Sequence, residues 1–124
     1  MELRRRLQRV MADHVLIARH GTRLELCLAE IGRLRDELRT SSRVNTPSDG
    51  VAAVELDNLL TIAEMMARAA LVRTESRGSH YREDFPDRDD VAWNQGLVIR
   101  QRTGRMELTR DSLPVLQSCQ EWPS

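Results

Sequence analysis

The chain has 124 residues, a length that fits one domain with a modest core. Aromatic residues make up only 3% of it and hydrophobic residues 40%, so the core must be aliphatic, which favours helices packed on helices. All 19 basic residues are arginine and they balance 19 carboxylates, so the net charge is zero and a nucleic-acid partner is not expected.

The composition also argues against a membrane span and a metal site. No apolar run approaches the length of a membrane-spanning helix, and the first residues do not follow the pattern of a signal peptide. Cys27 and Cys119 have neither zinc-site spacing nor the pattern of a disulfide framework. We therefore expect a cytoplasmic protein with no bound metal and no direct membrane insertion.

Residues 2–19 are predicted to form the first helix, which ends near Gly21. Leu3, Leu7 and Met11 recur on one stripe at helical spacing. Its first turn carries the run Arg4–Arg6, where the helix dipole disfavours cations. Two interpretations remain open: Met1 marks a cut in a longer polypeptide, or the helix end is simply frayed and solvated.

A second helix is predicted from Thr22 to about Arg39. Thr22 and Glu25 have the spacing of a capping box, in which each side chain satisfies a backbone N–H of the first turn. Cys27 falls on the apolar stripe and is interpreted as a small core residue rather than a nucleophile. Residues 40–50 are polar and contain Pro and Gly, so they form a loop whose end, Ser48 or Asp49, caps the next helix.

The third predicted helix, residues 51–74, is apolar on most of its circumference. Beside the inward positions Leu56, Leu60 and Ala63, it carries further apolar residues such as Val54 and Ile62. A helix of this kind is buried from more than one direction. The sequence therefore indicates that two partner helices do not cover it and that a neighbour is missing.

Residues 97–102 and 105–109 are predicted to form a short β-hairpin around Thr103 and Gly104, a two-residue turn with Gly where positive φ is needed. Residues 110–124 lack periodicity and are expected to be extended or disordered, and Trp93 and Trp122 are interpreted as packing residues. The predicted fold is mainly α: an antiparallel three-helix bundle (spectrin-repeat-like, up-down-up) with a C-terminal loop and the hairpin. We place the bundle in residues 1–95 and the hairpin and tail in residues 96–124.

No catalytic, cofactor-binding or metal-binding residue is predicted. The sequence contains neither G-x-G-x-x-G nor G-x-x-x-x-G-K-[ST] and so offers no phosphate cradle. Ser76 or Ser79 beside His80 resembles a nucleophile pair, but nothing supplies a third group or an oxyanion hole. His14 is interpreted as a histidine at the edge of the core rather than a ligand.

One polar stretch, residues 73–90, follows the third helix and alternates arginines with carboxylates. Arg73 and Arg77 are expected to meet the unpaired carbonyls at the helix end, with Gly78 in the left-handed cap position. The chain's only Tyr and only Phe, Tyr81 and Phe85, lie among these charges. Apolar rings among arginines favour a docked surface over a free, solvated loop.

The segment 67–93, ARAALVRTESRGSHYREDFPDRDDVAW, closely resembles the C-terminal segment of succinate dehydrogenase and fumarate reductase flavoprotein subunits. L-aspartate oxidases share its first part, R-x-E-S-R-G-x-H, and Ser79 replaces the usual Ala. Residues 3–19 resemble the first C-terminal helix of the same family. The matching positions that we expect to form the family-motif interface are Arg73, Glu75, Ser76, Arg77, Gly78, His80, Arg82, Asp84, Arg88, Asp89 and Asp90.

The resemblance implies a non-catalytic helical domain that packs on the flavin-binding domain of the same polypeptide and stabilises it. The parent would be an FAD-dependent oxidoreductase acting on succinate or fumarate, whereas this chain alone would bind no FAD and be inactive. An iron–sulfur subunit is a further expected partner, and through partner subunits the protein would be associated with a membrane. The isolated chain could also form a homodimer through the uncovered apolar face.

Two alternatives remain open at this point. The chain could be a stand-alone helical interaction module derived from the family, binding another protein through its acidic segment 83–90. It could also be the corresponding domain of an L-aspartate oxidase.

Overall fold

The computed structural model describes residues 2–41 and 44–112. These residues are mainly helical, and the chain divides after Arg88 into two compact units. The first unit contains helices α1 (Glu2–His14), α2 (Gly21–Ser41) and α3 (Pro47–Val72), together with the short strands β1 (Ala18–Arg19) and β2 (Tyr81–Arg82). The second contains helix α4 (Asp90–Trp93) and strands β3 (Gln95–Arg102) and β4 (Arg105–Ser112).

The core of the first unit is aliphatic and lies between its three long helices, each of which contacts the other two. Helix α2 supplies five buried positions at helical spacing, and α3 contributes two leucines and three alanines that allow close approach. Cys27 is buried among them, as predicted, and burial raises the pKa of its thiol to about 11. The mainly helical fold is thus confirmed, while the up-down-up bundle arrangement stays a prediction. The core residues are Leu7, Val15, Leu24, Cys27, Ile31, Leu34, Leu38, Leu56, Leu60, Ala63, Ala67 and Ala70.

The first helix is shorter than predicted, because it ends at His14 rather than at residue 19. Beyond it Val15 is buried, and the Arg19 Nε donates to the Val15 carbonyl at 2.6 Å. Ala18 and Arg19 then pair in parallel with Tyr81 and Arg82, which lie far away in the sequence. This tertiary pairing takes the segment out of the helix although its residues continue the apolar pattern.

The predicted capping box at Thr22 and Glu25 is wrong, because α2 begins at Gly21 and Thr22 already lies within it. His20 occupies the capping position instead. Its carbonyl accepts the Leu24 N–H at 2.9 Å, and its ring Nδ1 accepts the Thr22 N–H at 3.2 Å. His20 therefore lies at a helix N-terminus, where it satisfies one of the unpaired backbone donors.

A capping box is present at the start of α3. The Thr46 hydroxyl accepts from the Asp49 N–H at 3.2 Å, and the Asp49 carboxylate accepts from the Thr46 N–H at 2.9 Å. Pro47 follows at the first helical position, where its missing N–H has no cost. The helix therefore begins at Pro47, earlier than the predicted residue 51, and Asp49 is the acidic member of the box rather than the cap.

The predicted hairpin is confirmed in the second unit, with strands longer than expected: Gln95–Arg102 pairs antiparallel with Arg105–Ser112. Thr103 (φ 47°) and Gly104 (φ 75°) both have positive φ, as a type I′ turn requires. Trp93 is buried, and the Arg110 guanidinium lies 3.7 Å from the centre of its ring. The predictions for Trp122 and for the tail beyond Ser112 lie outside the described residues.

Candidate functional site

A buried arginine, Arg82 on β2, lies at the centre of the polar stretch. Its side chain is 2% exposed, and its Nη1 donates to the carbonyls of Ala70 and Leu71 at 2.9 Å each. These carbonyls belong to the last turn of α3, where no intrahelical donor is available. Arg82 therefore caps the C-terminus of α3, a role that the sequence had assigned to Arg73 and Arg77.

The same guanidinium forms a two-pronged pair with Asp84. Arg82 Nε and Nη2 lie 2.8 and 2.7 Å from the two carboxylate oxygens of Asp84. The Asp84 Oδ2 also accepts the backbone N–H of Gly21, the first residue of α2, at 3.0 Å. The Arg82 guanidinium, and the Gly21 N–H after it, hold the pKa of Asp84 well below its usual range. The pair thus links the C-terminus of α3 to the N-terminus of α2, where the helix dipole favours a negative charge.

A buried carboxylate, Glu75, is neutralised by the two arginines that the sequence had placed at the helix end. Glu75 is 0% exposed. Arg73 Nη1 donates to its Oε1 at 2.6 Å, and Arg77 donates from Nε at 2.8 Å and from Nη2 at 3.3 Å. A carboxylate removed from water is tolerated only with such partners, so Arg73 and Arg77 act mainly on Glu75.

His80 joins this network to the turn after α1. Its Nδ1 lies 2.7 Å from Arg19 Nη1, and its Nε2 lies 3.2 Å from the Arg73 carbonyl. A guanidinium only donates, so Nδ1 must accept and Nε2 must carry the proton, which makes the ring neutral. Burial is the main cause that lowers the pKa of His80; the charges of nearby arginines act in the same direction, against the bond to the Arg73 carbonyl.

Ser76 and Gly78 shape the loop that carries these side chains. The Ser76 hydroxyl accepts the Arg82 N–H at 2.9 Å and donates to the Phe85 carbonyl at 2.7 Å. Arg77 and His80 exchange backbone hydrogen bonds of 2.8 and 2.9 Å across a tight turn, and Gly78 has φ 58° at its first central position. Gly78 therefore serves this turn rather than the helix cap, which is the extended residue Arg73.

The geometry does not support a serine nucleophile in this stretch. The Ser76 hydroxyl is engaged with backbone groups, and both ring nitrogens of His80 have structural partners. Tyr81 and Phe85 are partly exposed, and the Arg82 guanidinium lies 5.0 Å from the centre of the Phe85 ring. The chemistry of these groups is therefore that of a structural lock, which we call the polar lock and define as Arg73, Glu75, Ser76, Arg77, His80, Arg82 and Asp84.

The structure brings only part of the predicted interface together. Seven of the eleven positions form the polar lock, and Gly78 lies in its turn. Arg88 ends the first unit, whereas Asp89 and Asp90 belong to the second. There the Asp89 carboxylate accepts the Ala92 N–H at 2.9 Å and caps α4. The sequence pattern did not reveal this division or the contributions of Arg19 and Gly21, which lie about sixty residues upstream.

The described residues do not fit a dinucleotide cofactor. The pyrophosphate of such cofactors binds at a helix N-terminus behind a glycine-rich turn. The N-termini of the two longest helices, α2 and α3, are already occupied by the carboxylates of Asp84 and Asp49, and the sequence has no glycine fingerprint. We therefore derive no flavin chemistry from this chain.

Residues 2–41 and 44–112 contain neither a metal cluster nor a membrane-spanning helix. No group of three or more His, Cys, Asp or Glu side chains within these ranges is arranged to hold a metal ion. None of the helices in the same ranges is long and apolar enough to cross a membrane.

An apolar groove runs between α1 and α3 and has a volume of about 390 Å³. Three of its side chains are well exposed: Leu16 (67%), Ile62 (54%) and Met66 (48%). The sequence had indicated an uncovered face on the third helix, but it did not show that α1 forms the opposite wall. The groove is lined by Arg4, Leu7, Gln8, Met11, Ala12, Val15, Leu16, Arg19, Leu59, Ile62, Ala63 and Met66.

Comparison with known proteins identifies the family. The family model described as "Fumarate reductase flavoprotein C-term" matches residues 4–119. The chain belongs to this family. It is 36% identical over 107 residues to a chain of the fumarate reductase (CoM/CoB) of Methanothermobacter marburgensis, covering 82% of this chain and 19% of that protein. It is 39% identical over 99 residues to the succinate dehydrogenase flavoprotein subunit of Rickettsia bellii, covering 76% of this chain and 16% of that protein.

Solved structures agree with this assignment. Sdh1 of Mycobacterium smegmatis, solved in complex with UQ1, superposes with a TM-score of 0.79 at 31% identity, over 92% of this chain and 20% of that one. An L-aspartate oxidase, that of Streptomyces coelicolor, is also among the relatives. The chain thus spans about a fifth of the length of these proteins or less.

Proposed function

We propose that this chain is the non-catalytic C-terminal helical domain of an FAD-dependent flavoprotein subunit of the succinate dehydrogenase and fumarate reductase type. Its role is to pack on the flavin-binding domain and stabilise it. FAD belongs to that neighbouring domain, and this chain alone binds no FAD and has no activity. Electron transfer would run to partner subunits, among them an iron–sulfur subunit, and these would bring the protein to a membrane.

The observation that carries this proposal is the polar lock. Two of its charged residues, Arg82 and Glu75, are buried, and both are paired within the lock. Arg82 pairs with the partly exposed Asp84, and Glu75 pairs with Arg73 and Arg77. Because these charged atoms already bind one another, they are not available to bind a substrate carboxylate or to relay a proton. They fix the end of α3 against the start of α2, which gives the three helices one rigid arrangement. A rigid helical unit is what a stabilising domain requires, and three antiparallel helices in up-down-up order are the bundle that we propose for it.

The two alternatives, an L-aspartate oxidase domain and a stand-alone interaction module, differ in the partner that the chain would contact. An L-aspartate oxidase domain would place the same unit on a different flavin-binding domain, and the shared R-x-E-S-R-G-x-H element is compatible with that. A stand-alone interaction module would act through the acidic segment 83–90. In the structure Asp84 of this segment faces inward to Arg82, which favours the flavoprotein domain over the module.

A desalting experiment tests the absence of a cofactor site. The purified chain is incubated with FAD, passed through a desalting column and examined by visible absorbance. We expect no retained flavin. Stoichiometric retention would contradict the proposal and would make residues 73–90 the leading candidate for a cofactor site.

A further inference from the structure

We propose that the apolar groove between α1 and α3 is the surface by which this domain packs on the flavin-binding portion of a family member. This inference rests on the proposed function and names its contact surface. The predicted interface, by contrast, was the arginine-rich and acidic stretch 73–90.

The polar lock is poorly suited to be that contact. Glu75 and Arg82 are 0% and 2% exposed, and their charged atoms already have partners inside the unit. Pulling such groups out to meet a partner would leave helix carbonyls and a carboxylate unpaired. The charged atoms of Glu75 and Arg82 therefore do not supply the contact that stabilises a neighbouring domain.

The groove has the chemistry of a docked surface. Its floor is aliphatic and continuous with the core through Leu7, Val15 and Ala63, and its walls present Ile62 and Met66 to the outside. Exposed aliphatic side chains lining a concave surface mark an interaction site more often than a free surface. The partner that fits is an apolar helix end or loop, because the pocket offers its occupant hardly any polar partners.

The relatives indicate which partner occupies the groove. The matching family model is a C-terminal region, and the chain spans 19% of the Methanothermobacter protein and 20% of the Mycobacterium protein. Most of each relative therefore precedes the matched region. Helix α1 is the first element of that region and forms one wall of the groove, so the preceding polypeptide of these flavoproteins reaches the domain beside it.

A matched pair of variants tests the groove. Ile62→Arg places a charge in it, whereas Leu26→Arg places the same charge on α2, outside the groove, at a side chain of similar exposure (55% against 54%). The partner is the portion of the Methanothermobacter protein that precedes the match, taken only from the fraction that keeps FAD after desalting. We expect Ile62→Arg to weaken binding to the 124-residue chain by about tenfold or more, and Leu26→Arg to change it by less than about twofold.

Each outcome decides between the two proposals. Equal binding by both variants would overturn the groove and leave the proposed function standing, whereas no binding by the unsubstituted chain would contradict the proposed function. If Ile62→Arg abolishes only self-association of the chain in sedimentation, the occupant is a second copy and the inference is wrong. Circular dichroism checks the fold of each variant, and Leu16→Arg replaces Ile62→Arg if the latter unfolds.

Discussion

Replacing Arg82 by Met removes the central member of the polar lock while keeping the length of its apolar stem. The two carbonyls at the end of α3 then lose their donors, and Asp84 loses both prongs of its guanidinium partner. Breaking a buried pair by removing one member costs about 3–5 kcal/mol. Asp84 is partly exposed, so water offsets some of its loss and the lower end applies. We expect the free energy of unfolding to fall by about 3 kcal/mol, and the melting temperature by roughly 10–20 °C.

Urea unfolding followed by circular dichroism measures this change in the free energy of unfolding, and two further variants serve as controls. Arg68→Met on α3 removes a surface arginine that pairs with Glu64 one turn away, and it should cost no more than about 0.5 kcal/mol. Arg82→Lys keeps the charge but loses the planar fork, so its cost should fall between the two. If Arg82→Met were as stable as Arg68→Met, the polar lock would not hold the helices together.

Three further predictions concern single groups of the same unit. Gly32→Ala should raise the free energy of unfolding by about 0.5–1 kcal/mol, because the added Cβ meets nothing within 4 Å. Gly21→Ala should lower the free energy of unfolding, because its Cβ would lie 2.9 Å from Asp84 Oδ2. In thermal melts the melting temperatures of the two variants should therefore shift in opposite directions. Cys27 should react with a thiol reagent only as fast as the unit opens, because it is buried and its pKa is raised to about 11; rapid labelling of the native protein would contradict this placement. The folded state holds the pKa of His80 below its ordinary value of 6.5, so the unfolded state binds the proton more readily and stability should decline as the pH falls below about 6.5. His80→Gln should reduce that decline in urea titrations from pH 7 to pH 5. An unchanged slope would assign the decline to another group.

Local sequence signals predicted the elements whose geometry is determined locally. The hairpin followed from Thr103 and Gly104, because a two-residue turn with two positive φ values is encoded by the turn residues themselves. Cys27 followed from its position on a helical stripe. In both cases the neighbours within a few residues determine the outcome.

The errors arose where distant residues decide the local structure. Residues beyond His14 continue an apolar helical pattern, yet Ala18 and Arg19 pair with residues more than sixty positions away. The start of α2 is capped by His20 and Asp84, and no nearby signal distinguishes Asp84 from the other carboxylates of its loop. The motif itself was recognisable as a pattern. Its arginines point inward because the turn at Gly78 returns the loop to the end of α3, and the sequence pattern did not show this.

The most direct test of the proposed role is the rate at which a flavin-binding partner loses its cofactor. The FAD-loaded portion of the Methanothermobacter protein is diluted with and without an excess of the 124-residue chain, and flavin fluorescence records FAD release. A stabilising domain slows release, so we expect the chain to slow it and Ile62→Arg to do so much less. Identical release rates with and without the chain would contradict the stabilising role.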